Sequence, residues 1–154
     1  MLNPESIDVV EDKNHEYSYL RVEERVLLYT LIPVFLTPIG SFRNEKRQRR
    51  SIQLLRDIDN LIYPLPQRSK DELHDLFSLM TSSFGRLFIA GIWKNWTDAS
   101  PESIEAFLHS WQGSGFALLR GAYSALHAII IPSYYGSPQS WLEISYPGPP
   151  KILR

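Results

Sequence analysis

Four histidines, two close carboxylate pairs, one Gly-Ser-Gly turn and one basic run are the features of this 154-residue chain whose side chains could do chemistry. His15, His74, His109 and His127 could hold a metal or move a proton, but a helical metal site needs a second ligand one turn away on the same face. They stand singly, and His74 and Asp75 are neighbours whose side chains diverge on a helix. All four therefore read as structural or solvent-facing. His127 falls in the most apolar stretch, where a neutral imidazole needs a partner. A pocket near His127, in a small-molecule-binding or enzymatic helical domain, is the rival to the main reading below. Ser114 lacks the spacing of a nucleophile elbow, and the chain has no phosphate-binding loop. Asp57/Asp59 and Asp71/Glu72 do not converge, so no residue set carries an enzyme mechanism. The chain contains no cysteine, which removes thiol catalysis, disulfides and cysteine-held metals from consideration.

The basic run, Lys46-Arg47-Gln48-Arg49-Arg50, lies at the start of a helical pattern, where the dipole disfavours cations. It reads first as a solvated helix start and second as a docking patch for an acidic partner. A net charge of -1 and the lack of interleaved aromatic residues weigh against nucleic acid as a partner.

The elements that must carry these residues read as helices throughout, giving an all-α fold: a bundle of five to six helices with an extended Pro-rich C-terminal tail. The acidic lead, residues 1–19, reads as flexible; residues 20–145 form the helical domain and 146–154 the tail. A wide apolar stripe begins at Val22, and Pro33 should kink or end that helix near Ile32. Ile52, Leu55, Ile58, Leu61 and Ile62 recur at helical steps until Pro64 and Pro66. Ser69 and Glu72 have the form of a capping box opening the next helix. The run 87–93 is apolar and favours helix. Ser100-Pro101-Glu102 is a strong helix start, followed by Ile104, Phe107, Leu108 and Trp111 on one face. From Phe116 the most hydrophobic helix extends to between Pro132 and Gly136 and should be central, with Gly121, Ala122, Ala125 and Ala128 admitting a close neighbour. Ser137-Pro138 starts a short last helix. The longest apolar stretch, from Leu27 to Leu36, is too short to span a bilayer, so no transmembrane segment is expected.

The chain has 11 prolines and 19 aromatic residues (7 Phe, 8 Tyr and 4 Trp), crowded toward the C-terminus. Tyr134, Tyr135, Trp141 and Tyr146, with Pro147 and Pro149, form the candidate partner-binding set, because amphipathic rings and extended prolines suit protein contacts. The opposing reading has the same rings close over the chain's own core.

Three stretches carry a family resemblance: Trp93-Lys94-Asn95-Trp96; Ser100-Pro101-Glu102-Ser103-Ile104-Glu105-Ala106-Phe107-Leu108; and Tyr134-Tyr135-Gly136-Ser137-Pro138-Gln139-Ser140-Trp141-Leu142-Glu143-Ile144-Ser145-Tyr146-Pro147-Gly148-Pro149-Pro150. Over residues 22–150 the chain resembles the small twin-arginine-signal proteins related to gluconate 2-dehydrogenase subunit 3. These accompany flavin-dependent oxidoreductases of the glucose-methanol-choline class. The resemblance implies an all-helical, non-catalytic subunit that binds and stabilises or escorts a large FAD-dependent dehydrogenase. The FAD would sit in the partner, with no cofactor in this chain. The resemblance also implies a periplasmic location, although the family's twin-arginine signal has no counterpart here and the cytoplasm is the alternative.

Overall fold

The computed structural model describes residues 11–36, 47–82, 101–113, 115 and 117–150, and every regular element among them is a helix. In chain order these are α1 (Val22–Leu36), α2 (Arg47–Ile62), α3 (Gln67–Thr81), α4 (Pro101–Gln112), α5 (Ala117–Gly136) and α6 (Pro138–Glu143). The run 87–93, both tryptophans of the first resemblance stretch, Ser100, Ser114 and Phe116 lie outside the described residues, as do the side chains of Arg47, Ile104, Phe107 and Leu108.

Two helices share the centre: α5 packs against α1, α2, α4 and α6, and α1 is the more enclosed of the two. The charged residues of α1 are confined to its first turn, at Glu23, Glu24 and Arg25, and the rest is apolar on every side. It therefore packs against α2, α3, α4 and α5. Leu27, Leu28, Leu31 and Ile32 are fully enclosed, each contributing about 1.5–3 kcal/mol of burial. By contrast, α5 is two-sided: Ala122, Leu126, Ile129, Ile130 and Tyr134 face the core, while Arg120, Ser124, His127 and Tyr135 are exposed. Gly121 faces open space, so it admits no close neighbour.

Pro33 does not end α1, which runs on to Leu36. A mid-helix proline costs about 3 kcal/mol, and burying Phe35 and Leu36 beyond it offsets that loss. Pro132 is likewise carried inside α5, ahead of buried Ser133 and Tyr134. The capping box at Ser69 does not form either. Helix α3 starts two residues earlier, on Pro66, whose carbonyl accepts the Lys70 amide at 3.2 Å. Ser69 is thus already inside the helix, and Glu72 pairs with Arg68 on the surface at 3.1 Å.

The acidic lead is not loose from residue 12 onward; it is strapped across α2 and α3. Asp59 accepts the backbone amides of Ser18, Tyr19 and Leu20 at 2.8, 2.9 and 2.8 Å. The Tyr19 hydroxyl donates to the Lys70 carbonyl at 2.6 Å, and its ring stacks on His74 with centroids 4.2 Å apart. His74 Nδ1 lies 2.7 Å from Glu24, whose other oxygen accepts the Arg21 amide at the start of α1. Burial pushes the Tyr17 hydroxyl up to about 12, and the Arg25 guanidinium sits over that ring at 4.3 Å.

Arg56 closes the strap with two hydrogen bonds to Asp12, at 2.6 and 2.8 Å. That fork holds the Asp12 carboxyl below its usual value of 3.8. Its stabilisation is therefore complete above about pH 4 and is lost as the pH falls through the lower folded-state value. An acid titration of thermal stability checks this: Asp12→Asn should cost roughly 1 kcal/mol at neutral pH, and the difference from wild type should vanish in strong acid.

Candidate partner-binding surface

The C-terminal arm grows from the end of α5. Ser137 precedes proline and is extended (φ −84°, ψ 125°), which breaks the helix and reorients the chain into α6. Pro138 stands at the start of α6 as the sequence predicts, but the Ser137 hydroxyl makes no capping bond. After Glu143 the Tyr146 amide returns to the Trp141 carbonyl at 2.7 Å, across a turn with Ser145 at φ 55°. Gly148 then lies on the Trp141 indole at φ 91°, where a Cβ would come within 3.2 Å of the ring. Glycine is needed there for both reasons.

Arg50 fastens this arm to the bundle. Its guanidinium donates to Gln139 Oε1 at 2.8 Å and Ser140 Oγ at 2.5 Å, pairs with Glu143 at 3.3 Å, and lies 5.7 Å from the Tyr134 ring centroid. Glu143 is held a second time, by the Tyr134 hydroxyl at 3.0 Å. Arg50 is thus a buried side chain, whereas the sequence places the whole basic run in solvent. The signal that could have found it is register: Arg50, Leu54 and Ile58 recur every four residues, so Arg50 extends the buried stripe of α2.

The six predicted contact residues divide. Tyr134 is fully buried and belongs to the core, so it offers no surface to a partner. Trp141 is half-buried; its indole N–H donates to the Tyr135 carbonyl, and its ring stands perpendicular to that of Tyr146 with centroids 5.9 Å apart. Tyr135, Tyr146, Pro147 and Pro149 are exposed around it. Leu142, which sequence reasoning passed over, is 83% exposed on α6. Residue type alone gave no warning, because only the pinning of the opposite side of α6 by Arg50 turns Leu142 outward.

His127 is exposed, with the Tyr123 and Phe35 rings more than 6 Å away, centroid to centroid. His109 lies 3.8 Å from Glu105, one turn earlier on the surface, a carboxylate at helical spacing that the sequence also displays. No group of three or more His, Asp or Glu among the described residues is placed to hold a metal ion.

Two open clefts flank the arm. One, of about 870 Å³, lies between the first three turns of α2, the lead at Asp12 and Asn14, and α6, and includes Arg49, Arg56 and Leu142. The other, of about 610 Å³, lies between the end of α2 and the α5–α6 joint and includes Asp57, Leu61 and Pro138. Gln53 and Gln139 line both, and His127 lines neither. No helix among the described residues is long and apolar enough to cross a membrane. No protein-family model, curated protein or solved structure matches the chain.

Proposed function

We propose that this chain is a non-catalytic helical subunit that binds and steadies a large flavin-dependent dehydrogenase of the glucose-methanol-choline class, in the periplasm, with the FAD held by the partner. The observation that carries the reading is the exposure of Leu142 on an arm whose orientation Arg50 dictates. Single exposed leucines are common. Here, however, Tyr135, Tyr146, Pro147 and Pro149 lie exposed on the same arm, and this arm carries the most specific part of the family resemblance. A pre-ordered apolar surface loses little conformational entropy on binding, so burying it favours association.

The test is recovery of flavin. A tagged chain purified from its native cells should bring down a flavoprotein, seen by visible absorbance and released FAD. Leu142→Asp should cut that recovery at least about tenfold, the scale of losing one apolar anchor at an interface, while melting within about 0.5 kcal/mol of wild type, as exposed sites do. Leu142 is a cleaner probe than Trp141, whose indole supports the tail from inside the arm. Recovery of no flavin by the wild-type chain would end this reading.

A further inference from the structure

The two clefts follow one another along α2 with Gln53 and Gln139 in the walls of both, and α6 and its joint with α5 border this two-part groove on the other side. Its two ends carry opposite charge. At the α2 start Arg49 is exposed, while its neighbours Arg50 and Arg56 have carboxylate partners in Glu143 and Asp12. At the other end Asp57 takes one hydrogen bond, from Gln53 to Oδ1 at 3.0 Å, and its buried Oδ2 has no partner among the described residues. Asp57 is half-buried in the wall of this cleft, and its carboxylate, neutralised by no cation among the described residues, presents negative charge to a basic side chain that enters. Beyond it, Leu61 and Pro138 line the groove.

The middle of the groove suits a peptide backbone. Gln139 spends its carbonyl on Arg50, leaving the carboxamide N–H₂ to donate, and Gln53 spends its N–H₂ on Asp57, leaving its carbonyl to accept. One donor and one acceptor side by side match what an extended chain offers. We infer that this groove binds an extended segment of the partner protein, with an acidic residue on Arg49 and a basic residue at Asp57. The inference rests on the subunit reading for the identity of the partner, and adds where and by what pattern that partner is held.

Helix geometry sets the spacing. Arg49 and Asp57 are eight residues apart on α2, about 12 Å of rise, and an extended chain covers that in about four residues. The segment therefore carries opposite charges roughly four positions apart, with apolar or small residues between them and an apolar residue after the basic one, against Leu61.

Synthetic nonapeptides test this on the full chain by NMR titration. Two peptides carry one glutamate and one lysine four positions apart, in either order, on an alanine–leucine background with a central proline that suppresses helix. A third has glutamine at both charged positions. One charged order should shift the amides around residues 49–61 and 138–142 and bind at least about tenfold tighter than the neutral peptide, the scale of two partly exposed charge contacts. Arg49→Glu and Asp57→Lys singly should each remove most of that advantage. The two together should transfer the preference to the opposite order, a reversal that a merely weakened fold cannot produce. Equal binding of charged and neutral peptides, or shifts elsewhere on the surface, would overturn the inference. Flavin recovery by the same variants separates the two claims: groove failure with intact flavin recovery leaves the subunit reading standing, and peptide binding without flavin recovery does the reverse.

Discussion

Replacing Arg50 with alanine is expected to destabilise the protein by about 2–4 kcal/mol and to free the C-terminal arm before the bundle melts. Its guanidinium is the cation for Glu143 and the donor to Gln139 and Ser140, and a buried partner left without its counter-charge is costlier than a missing pair. Glu143 is partly exposed and can regain water, which keeps the loss below the full penalty of a buried pair. Lysine should restore the charge but not the fork to three acceptors, and so recover less than half. Hydrogen exchange is the discriminating measurement. The amides of Ser140, Ile144 and Tyr146, which close α6 and its turn, should lose protection ahead of those in α1. Uniform loss across the chain would show that Arg50 supports the whole core, and a change under 0.5 kcal/mol would show that α6 is held by its packing alone. If the arm is the partner surface, the same substitution lowers flavin recovery by disordering Leu142 and Tyr146, without touching either.

Asp59→Ala should be as damaging at the opposite end. Three consecutive backbone amides converge on one carboxylate that is 1% exposed, and alanine leaves all three donors without an acceptor. At about 1 kcal/mol or more for each orphaned group, the expected loss is about 3–4 kcal/mol. For a domain of this size that lowers Tm by roughly 6–15 °C. Asparagine should recover little, because its N–H₂ would face an N–H of the strap where an oxygen is needed. Thermal melts give the magnitude, and exchange at Ser18, Tyr19 and Leu20 gives the place. A loss below 1 kcal/mol would mean that the three bonds to Asp59 add little to the hold of the lead on the fold.

Much of the architecture was legible from local pattern. Helical periodicity over Ile52, Leu55, Ile58 and Ile62 led directly to α2, and the Ser-Pro pairs marked the starts of α4 and α6, because proline tolerates the first helical turn and little else. The misreadings have a common origin. Local rules alone have Pro33 kinking or ending α1 and Ser69 starting α3. In the fold, burial of Phe35 and Leu36 outweighs the first, and the carbonyl of Pro66, immediately before Gln67, pre-empts the second. Composition marks α5 as a central helix and it does pack against four others, but enclosure depends on how many faces are apolar, and α1 has more of them.

The candidate surface divides along the same line. That residues 134–150 are unusual, and which prolines keep the chain out of helix, is written in residue type and order: proline's missing donor and fixed φ act within a few residues and need no neighbours. Which of those rings is core and which is surface is not written there. Tyr134 and Tyr135 are adjacent and chemically identical, yet one is fully buried and the other 43% exposed. The difference arises because Tyr134 meets Arg50 and Glu143, and Arg50 lies 84 residues earlier in the chain. By itself the sequence determined the all-helical class, the positions of most helix starts and the composition of the arm, all set by short-range backbone sterics and hydrophobic period. The tertiary structure alone decided that an arginine from a basic run would be buried, that Leu142 would face outward and that a charge-graded groove would form. Each of these depends on a long-range contact whose energy exists only after distant segments have paid the entropy of meeting.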